Sequence, residues 1–389
     1  MQAKTYDIVN AGPNNRFRAN GKIVSNSGKG FQPQNLPSRG LLPDGLIEHG
    51  IALMKCDAED LVFPNVMHLA SSAIRRVLIA APGKKFCISD LANIEGRKVA
   101  WYAGEEWKLQ AFRDFDTGTG HDLYNLAYAR AFNIPVENVT KNQRSTGKVL
   151  ELFLSYGGGC GAFVTGAAGY GFDLEKLADD IYDTLPRDAV LEATDFLEWW
   201  QKQKRDRYGL SDKAFITVDV LKRLWRRSNP KIVQLWSDVQ RAAEHAVVTG
   251  EAIETGLLKF EKKGAWLRVR IASGRYLCYP FAEYDNDDGI SYYGVDQYTR
   301  KWQRIRTHGS KIVENIMQCS ARCVLYDSMP TVEAAGFPIV LHVHDELVTE
   351  TEQGKHVEEL SAIMAAGHNW TEGLPLAAAG FESLRYKKG

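Results

Sequence analysis

Apolar residues recur at helical spacing through Val66, Leu69, Ala70, Ala73, Ile74, Val77 and Leu78, and Pro82-Gly83 ends that helix. A short apolar strand, residues 85–89, then ends in Asp90, and residues 91–101 resume helical spacing. A second helix is predicted over 122–132, closed by Asn133-Ile134-Pro135. In the segment 144–159, Arg144, Lys148, Leu152 and Tyr156 fall four apart, so each lies about 40° around a helix from the last and the four form one drifting stripe. Gly157-Gly158-Gly159 stops that helix. Residues 173–255 read as helical with a break at Asn229-Pro230, and 266–280 as a hairpin with Ser-Gly at its turn. A helix over 310–327 places Glu314, Gln318, Ala321 and Leu325 near one face, and another is expected around 352–366. Between them, residues 341–348 alternate apolar and polar positions up to the adjacent carboxylates Asp345 and Glu346, then turn apolar: two antiparallel strands with a tight acidic turn.

Composition narrows the class without naming it. Of the 389 residues 44% are apolar and 25% charged, as in ordinary globular proteins with room for two or three packed units. The formal net charge is zero, so any polyanion site must be a local basic patch. The six cysteines form no CxxC pair, and Cys319 and Cys323, one helical turn apart, read as buried thiols in a reducing setting. No apolar leader and no run of about 18 apolar residues occurs, which leads us to expect a cytoplasmic protein without a membrane partner.

Several stretches carry candidate chemistry beside a plainer reading. Asp90 is either a helix N-cap or a metal ligand. The cations Arg144 and Lys148 either face water or cradle a triphosphate. The basic, aromatic-rich runs 202–207 and 222–227 suit solvated helix faces as well as DNA contacts. Residues 1–45, rich in Asn, Gly, Ser and Pro, read as extended segments that present Lys22, Gln34 and Asn35, either a flexible arm or a nucleic-acid contact. His342 and His344 are expected on one strand face.

Three of these signals occur in a fixed order: Asp90 with Glu95 and Arg97; Arg144 and Lys148 followed by Tyr156-Gly157; and Val343-His344-Asp345-Glu346. Together they resemble motifs A, B and C of family A DNA polymerases, the class of bacterial DNA polymerase I and many phage replicases, with the phage members most similar. Segments 30–37, 229–236, 274–280 and 314–318 support the resemblance, which runs from about Asn20 to Gly389. It implies an α+β fold: a palm of antiparallel sheet and helices (1–118 and 296–389) and a mainly helical fingers subdomain (119–295).

The resemblance further implies template-directed DNA synthesis on a primer-template, with deoxynucleoside triphosphates as substrates. Asp90 and Asp345 would hold two Mg²⁺ ions, replaceable by Mn²⁺, with Glu346 in support. Arg144 and Lys148 would grip the triphosphate, Lys148 also serving the leaving group. Tyr156 would stack on the new base pair, and Glu95 would bond Tyr156 and crowd the sugar 2′ position. His344, Gln318, Arg97, Lys22, Gln34 and Asn35 would contact DNA. Leu152 stands where the family has Phe or Tyr, Tyr124 where it often has His, and Glu314 where it has Asn. Family members also carry a thumb, and often an exonuclease, ahead of the region that begins here near Asn20. The expectation is therefore palm and fingers alone, with the thumb or exonuclease on another polypeptide or a missing N-terminal region. Two other readings stay open: a non-catalytic primer-template-binding subunit, and a metal-dependent hydrolase built on His342, His344 and Asp345.

Overall fold

The computed structural model describes residues 36–37, 41–169, 171–296 and 299–387, and the backbone alone of 16–19 and 22–25. Gln34, Asn35 and the side chain of Lys22 lie outside the described residues. In chain order the elements are β1 (Arg16–Ala19), β2 (Lys22–Ser25), α1 (Asp44–Met54), α2 (Val66–Ala73), β3 (Lys84–Leu91), α3 (Ile94–Ala103), α4 (Glu106–Asp116), α5 (Leu123–Phe132) and α6 (Lys141–Leu154). Helices α7 (Cys160–Gly169), α8 (Leu174–Ile181), α9 (Arg187–Lys202), α10 (Asp212–Ser228) and α11 (Pro230–Thr249) follow. Then come β4 (Ile253–Thr255), β5 (Leu258–Lys263), β6 (Trp266–Arg270), β7 (Tyr276–Pro280), β8 (Glu283–Asp285), β9 (Gly289–Val295) and β10 (Trp302–Thr307). The chain ends with α12 (Gly309–Ala334), β11 (Ile339–Val343), β12 (Glu346–Glu352), α13 (Val357–Ala365) and β13 (Ala378–Ser383).

The chain forms two compact units, one of Met1–Leu91, Ser328–Met364 and Ala378–Gly389, the other of Ala92–Asp327 and Ala365–Ala377. The boundaries expected near 118 and 295 both fall inside the second unit, since α3 packs on α11 and α4 on α5. The fold class is α+β, as expected, with every described strand pair antiparallel. Among the described residues no helix is long and apolar enough to cross a membrane.

The first unit is built on a four-stranded sheet in the order β11-β12-β3-β13. Strand β3 is central and covered on both faces, which is why it reads as a continuous apolar run rather than an alternation. On one face Phe86 and Ile88 pack with Val343, Val348 and Tyr386. On the other, Ser89 Oγ meets Ser361 Oγ of α13 at 2.8 Å, and Cys87 Sγ meets Thr351 Oγ1 at 3.5 Å.

The second unit is mostly helical, with two small antiparallel sheets, and its core includes Phe163, Phe215 and Trp225. Two lysines are wholly buried in it. Lys108 Nζ donates to Glu151 Oε2 at 2.8 Å. Lys98 Nζ has no hydrogen-bond acceptor and lies over the indoles of Trp101 (5.0 Å) and Trp370 (4.3 Å).

Burial pushes the Lys98 ammonium down from 10.5 to about 7, with Cys323 acting weakly in the other direction. Between those values the unfolded chain binds a proton that the folded chain does not, so stability rises with pH across that window and the penalty is complete below it. Thermal melts over this range should show that rise in the parent and a flatter profile in Lys98→Met, whose melting temperature at pH 7 should be higher by roughly 2 °C. An equal slope in both proteins would assign the titration to another group.

Candidate active site

The carboxylates of the first unit are set by strand register. Val343 pairs with Glu346, so the β11–β12 connection is the two-residue loop His344-Asp345, with His344 in the left-handed region at φ 55°. The adjacent acids therefore divide. Asp345 stands half-buried in the turn, whereas Glu346 is the buried first residue of β12 rather than part of the turn. Glu346 pairs directly with Asp90 on β3, and the Leu91 amide donates to the Asp345 carbonyl at 3.1 Å. Two acids 255 positions apart, Asp90 and Asp345, thus meet at one end of the sheet.

Directly opposed residues share a face, so Asp90 and Glu346 stand side by side, an arrangement that is unfavourable for two like charges. Glu346 is relieved by Tyr386, whose hydroxyl donates to Oε1 at 2.8 Å. Burial and the neighbouring Glu346 charge push the Tyr386 phenol up, so it stays a donor. Asp90 is exposed and does not cap a helix, because α3 begins after Asn93, itself in the left-handed region. The helix-cap reading is thereby excluded. His342 is exposed on β11, while His344 is in the turn. The two do not share a strand face, contrary to expectation, because the strand ends at Val343. Among the described residues a three-donor cluster does form from His356, Glu358 and Glu382, but Glu382 pairs with Cys87 on the sheet face opposite Asp90 and accepts from Lys85 at 2.6 Å.

In the second unit, α6 starts at a capping box, Thr140 with Gln143. Arg144 is half-buried and donates twice to Asp122, the N-cap of α5, at 3.1 and 3.0 Å, with its guanidinium 5.3 Å from the Tyr124 ring. Lys148 follows one turn later, half-buried, and Leu152 is 37% exposed. The stripe does not extend to Tyr156 as a helical position, because the helix ends at Leu154 and Ser155 is its C-cap. Trp236 Nε1 donates to the Ser155 carbonyl at 3.2 Å, and Gly157 takes φ 74° beside Ser310, where a Cβ would come within 2.4 Å of Oγ. Tyr156 Oη donates to Glu95 Oε2 at 3.2 Å. Burial first, then the charge of Glu95, pushes this phenol well up, and Glu314 adds to the effect.

Other expected contacts are placed differently. Arg97 is 2% exposed and forks onto Asp116 at 2.6 and 2.7 Å, with Nε on the Ala92 carbonyl at 2.7 Å and the guanidinium over Phe112. It is a buried structural cation and not a surface for DNA, because Asp116 and the carbonyl take its donors. Gln318 is exposed on α12 and donates to Glu314 at 3.4 Å, while Lys311 donates to the other Glu314 oxygen at 2.8 Å. In the run 222–227, Lys222 and Arg223 pair with Asp219, and Arg227 with Asp188 and Glu192. In the run 202–207, Arg205 lies over Trp199 and Trp200 and Arg207 pairs with Asp212. The run 222–227 is thus largely an ion-paired face. Reading the sequence alone misses Tyr386, Arg75, Asp122 and the Lys108–Glu151 pair, all of which act through partners distant in the chain.

The position of α6 depends on a close approach. A Cβ on Gly147 would fall 2.0 Å from the Tyr124 carbonyl oxygen on α5, so the helices touch only because this residue is glycine. Gly147→Ala should destabilise the protein by about 1–3 kcal/mol in a denaturant titration. Stability equal to the parent would mean that the contact relaxes without cost.

No protein-family model matches the chain. A DNA polymerase of Bacillus phage SP02 is 33% identical over 382 residues, covering 93% of this chain and 50% of the phage protein. The DNA polymerase I of Chloroflexus aurantiacus is 33% identical over 84 residues, covering 22% of this chain and 8% of that enzyme. Mycobacterium tuberculosis DNA polymerase I is 30% identical over 100 residues, covering 24% of this chain and 10% of that enzyme. Among solved structures, the POL domain of M. smegmatis Pol1, in complex with DNA primer-template and dNTP, superposes with a TM-score of 0.47 at 17% identity, over 81% of this chain and 42% of that one. The chain thus spans about half the length of the phage relative that it matches almost from end to end. It is a relative of the family A DNA polymerases, the family of bacterial DNA polymerase I and of phage polymerases.

Proposed function

We propose that this chain carries template-directed DNA synthesis, the addition of deoxynucleotides to a primer 3′-hydroxyl. The observation behind this reading is the β3–β12 register, which sets Asp90 and Asp345 at one end of a sheet in a chain 33% identical to a phage DNA polymerase. Exposed Asp90 and half-buried Asp345 are hard oxygen donors, a set that suits Mg²⁺, with Mn²⁺ able to replace it. They are the residues assigned to hold two ions. Bound there, such ions supply a lowered pKa for the primer hydroxyl and offset the charge that builds up as pyrophosphate leaves.

The chain's own groups divide the remaining work. Arg144, oriented by Asp122, and Lys148 are assigned to the triphosphate, where a fixed guanidinium offers paired donors and an ammonium a point charge. Tyr156 offers an aromatic face for the new base pair, and its bond to Glu95 fixes the carboxylate assigned to exclude a 2′-hydroxyl. Gln318 is assigned to the minor groove, where acceptors are common to all base pairs. His344 is assigned to the primer end. On this reading the first unit corresponds to the palm and the second to the fingers.

Primer extension with Mg²⁺ and four deoxynucleotides tests the assignment. Asp90→Asn and Asp345→Asn should each lower the rate by about a hundredfold or more while primer-template binding is retained. Extension at the parental rate by either variant would refute the carboxylate assignment. DNA binding without extension by the parent would favour a non-catalytic primer-template-binding subunit.

A further inference from the structure

Behind Glu346 lies a buried chain of donors that no polymerase step described above uses. Arg75 is 4% exposed, Tyr386 1% and Glu346 7%. Arg75 Nη1 donates to Tyr386 Oη at 3.0 Å, and Tyr386 Oη donates to Glu346 Oε1 at 2.8 Å. The remaining Arg75 donors reach the carbonyls of Pro37 (Nε, 3.0 Å) and Leu36 (Nη2, 2.9 Å). Tyr386 is itself fixed by its backbone, whose amide donates to the Leu78 carbonyl at 3.0 Å, next to the Ile79–Arg385 bridge.

The direction of this chain follows from its chemistry. A guanidinium only donates, so it occupies a lone pair of the phenol oxygen, and the single phenolic proton is left for the carboxylate. Glu346 is thereby held on the interior side, although register places it directly opposite Asp90. We propose that Tyr386, oriented by Arg75, is a positioning residue for Glu346. By keeping that carboxylate turned inward, it reserves the sheet end for divalent-ion binding by Asp90 and Asp345. Because Arg75 also binds the Leu36 and Pro37 carbonyls, those two residues are tied into the same chain of bonds. The inference rests on the polymerase reading for what the ions do, but not for their binding.

Two measurements separate the two claims. The first is Mn²⁺ binding followed by electron paramagnetic resonance, which needs no turnover. The second is the Mg²⁺ concentration giving half-maximal primer extension. Tyr386→Phe keeps the ring and removes the donor, and should weaken Mn²⁺ binding and raise the Mg²⁺ requirement by about tenfold or more, with the KM for deoxynucleotides unchanged. Arg75→Lys, which keeps the charge but loses the fork, should shift both in the same direction by less. Adding Glu346→Gln should suppress most of the Tyr386→Phe effect, since the two act through one contact. Parental Mn²⁺ binding in both Tyr386→Phe and Arg75→Lys, or full additivity with Glu346→Gln, would overturn the inference. A parent that binds Mn²⁺ in a Tyr386-dependent way but extends no primer would overturn the polymerase reading instead.

Discussion

The register of β12 on β3 is the constraint on which the site depends. Strand side chains alternate, so a slip of one residue would move Asp90 off the Glu346 row and exchange the apolar face of Phe86 and Ile88 for the Cys87 and Ser89 face. Register is strongly specified here because both faces are buried and because β3 is paired on both edges, with Glu346 and Ala379 opposite Asp90. The connection adds a second lock. A two-residue loop with His344 at positive φ admits one pairing of Val343 with Glu346. The placement of two distant aspartates is therefore a consequence of packing and not of any attraction between them, which would have the wrong sign.

A different kind of constraint holds α6. Glu151, seven residues after the half-buried Arg144 and so on nearly the same side of the helix, is buried, and it accepts from Lys108 at 2.8 Å and from Trp225 Nε1 at 2.9 Å. Taking both charges out of water is costly, so this pair is weak support for stability as such. Breaking it would leave a bare buried charge, and that penalty selects one rotation of the helix about its axis. With Gly147 seated against the Tyr124 carbonyl, the rotation and the depth of α6 are both determined. The half-buried Arg144 and Lys148 inherit that placement.

Much of this was legible in the sequence, and the line between what was and what was not is physical. The acidic hairpin, the helix that carries Arg144 and Lys148, and the Ser-Gly hairpin are encoded by periodicity and turn residues, which act over a few positions. The Tyr156–Glu95 bond joins residues 61 apart and entered only through family resemblance. Partner choice among distant polar groups left no local trace. Nothing in the spacing of Arg97 distinguishes a surface cation from one forked onto Asp116, and nothing in the final residues marks Tyr386 as the donor to Glu346. The adjacent acids show the same limit: the sequence presents Asp345 and Glu346 as equivalent, and a single strand boundary sends one into the turn and the other into the core.

That separation bears on how carboxylates in one site come to differ. Asp90, Asp345 and Glu346 have similar intrinsic acidity, so residue type cannot decide which of them meets a cation. Burial and donors can. Glu346 is enclosed and already accepts the phenolic proton, so turning it toward solvent would break that bond and leave the buried Tyr386 hydroxyl without its acceptor. Asp90 is exposed, and its turn-borne neighbour Asp345 is half-buried. On the proposed reading the cation therefore falls to the two aspartates and not to Glu346. The division of roles among the three acids thus follows from the surroundings of Glu346, a residue that on this reading never needs to touch the ion.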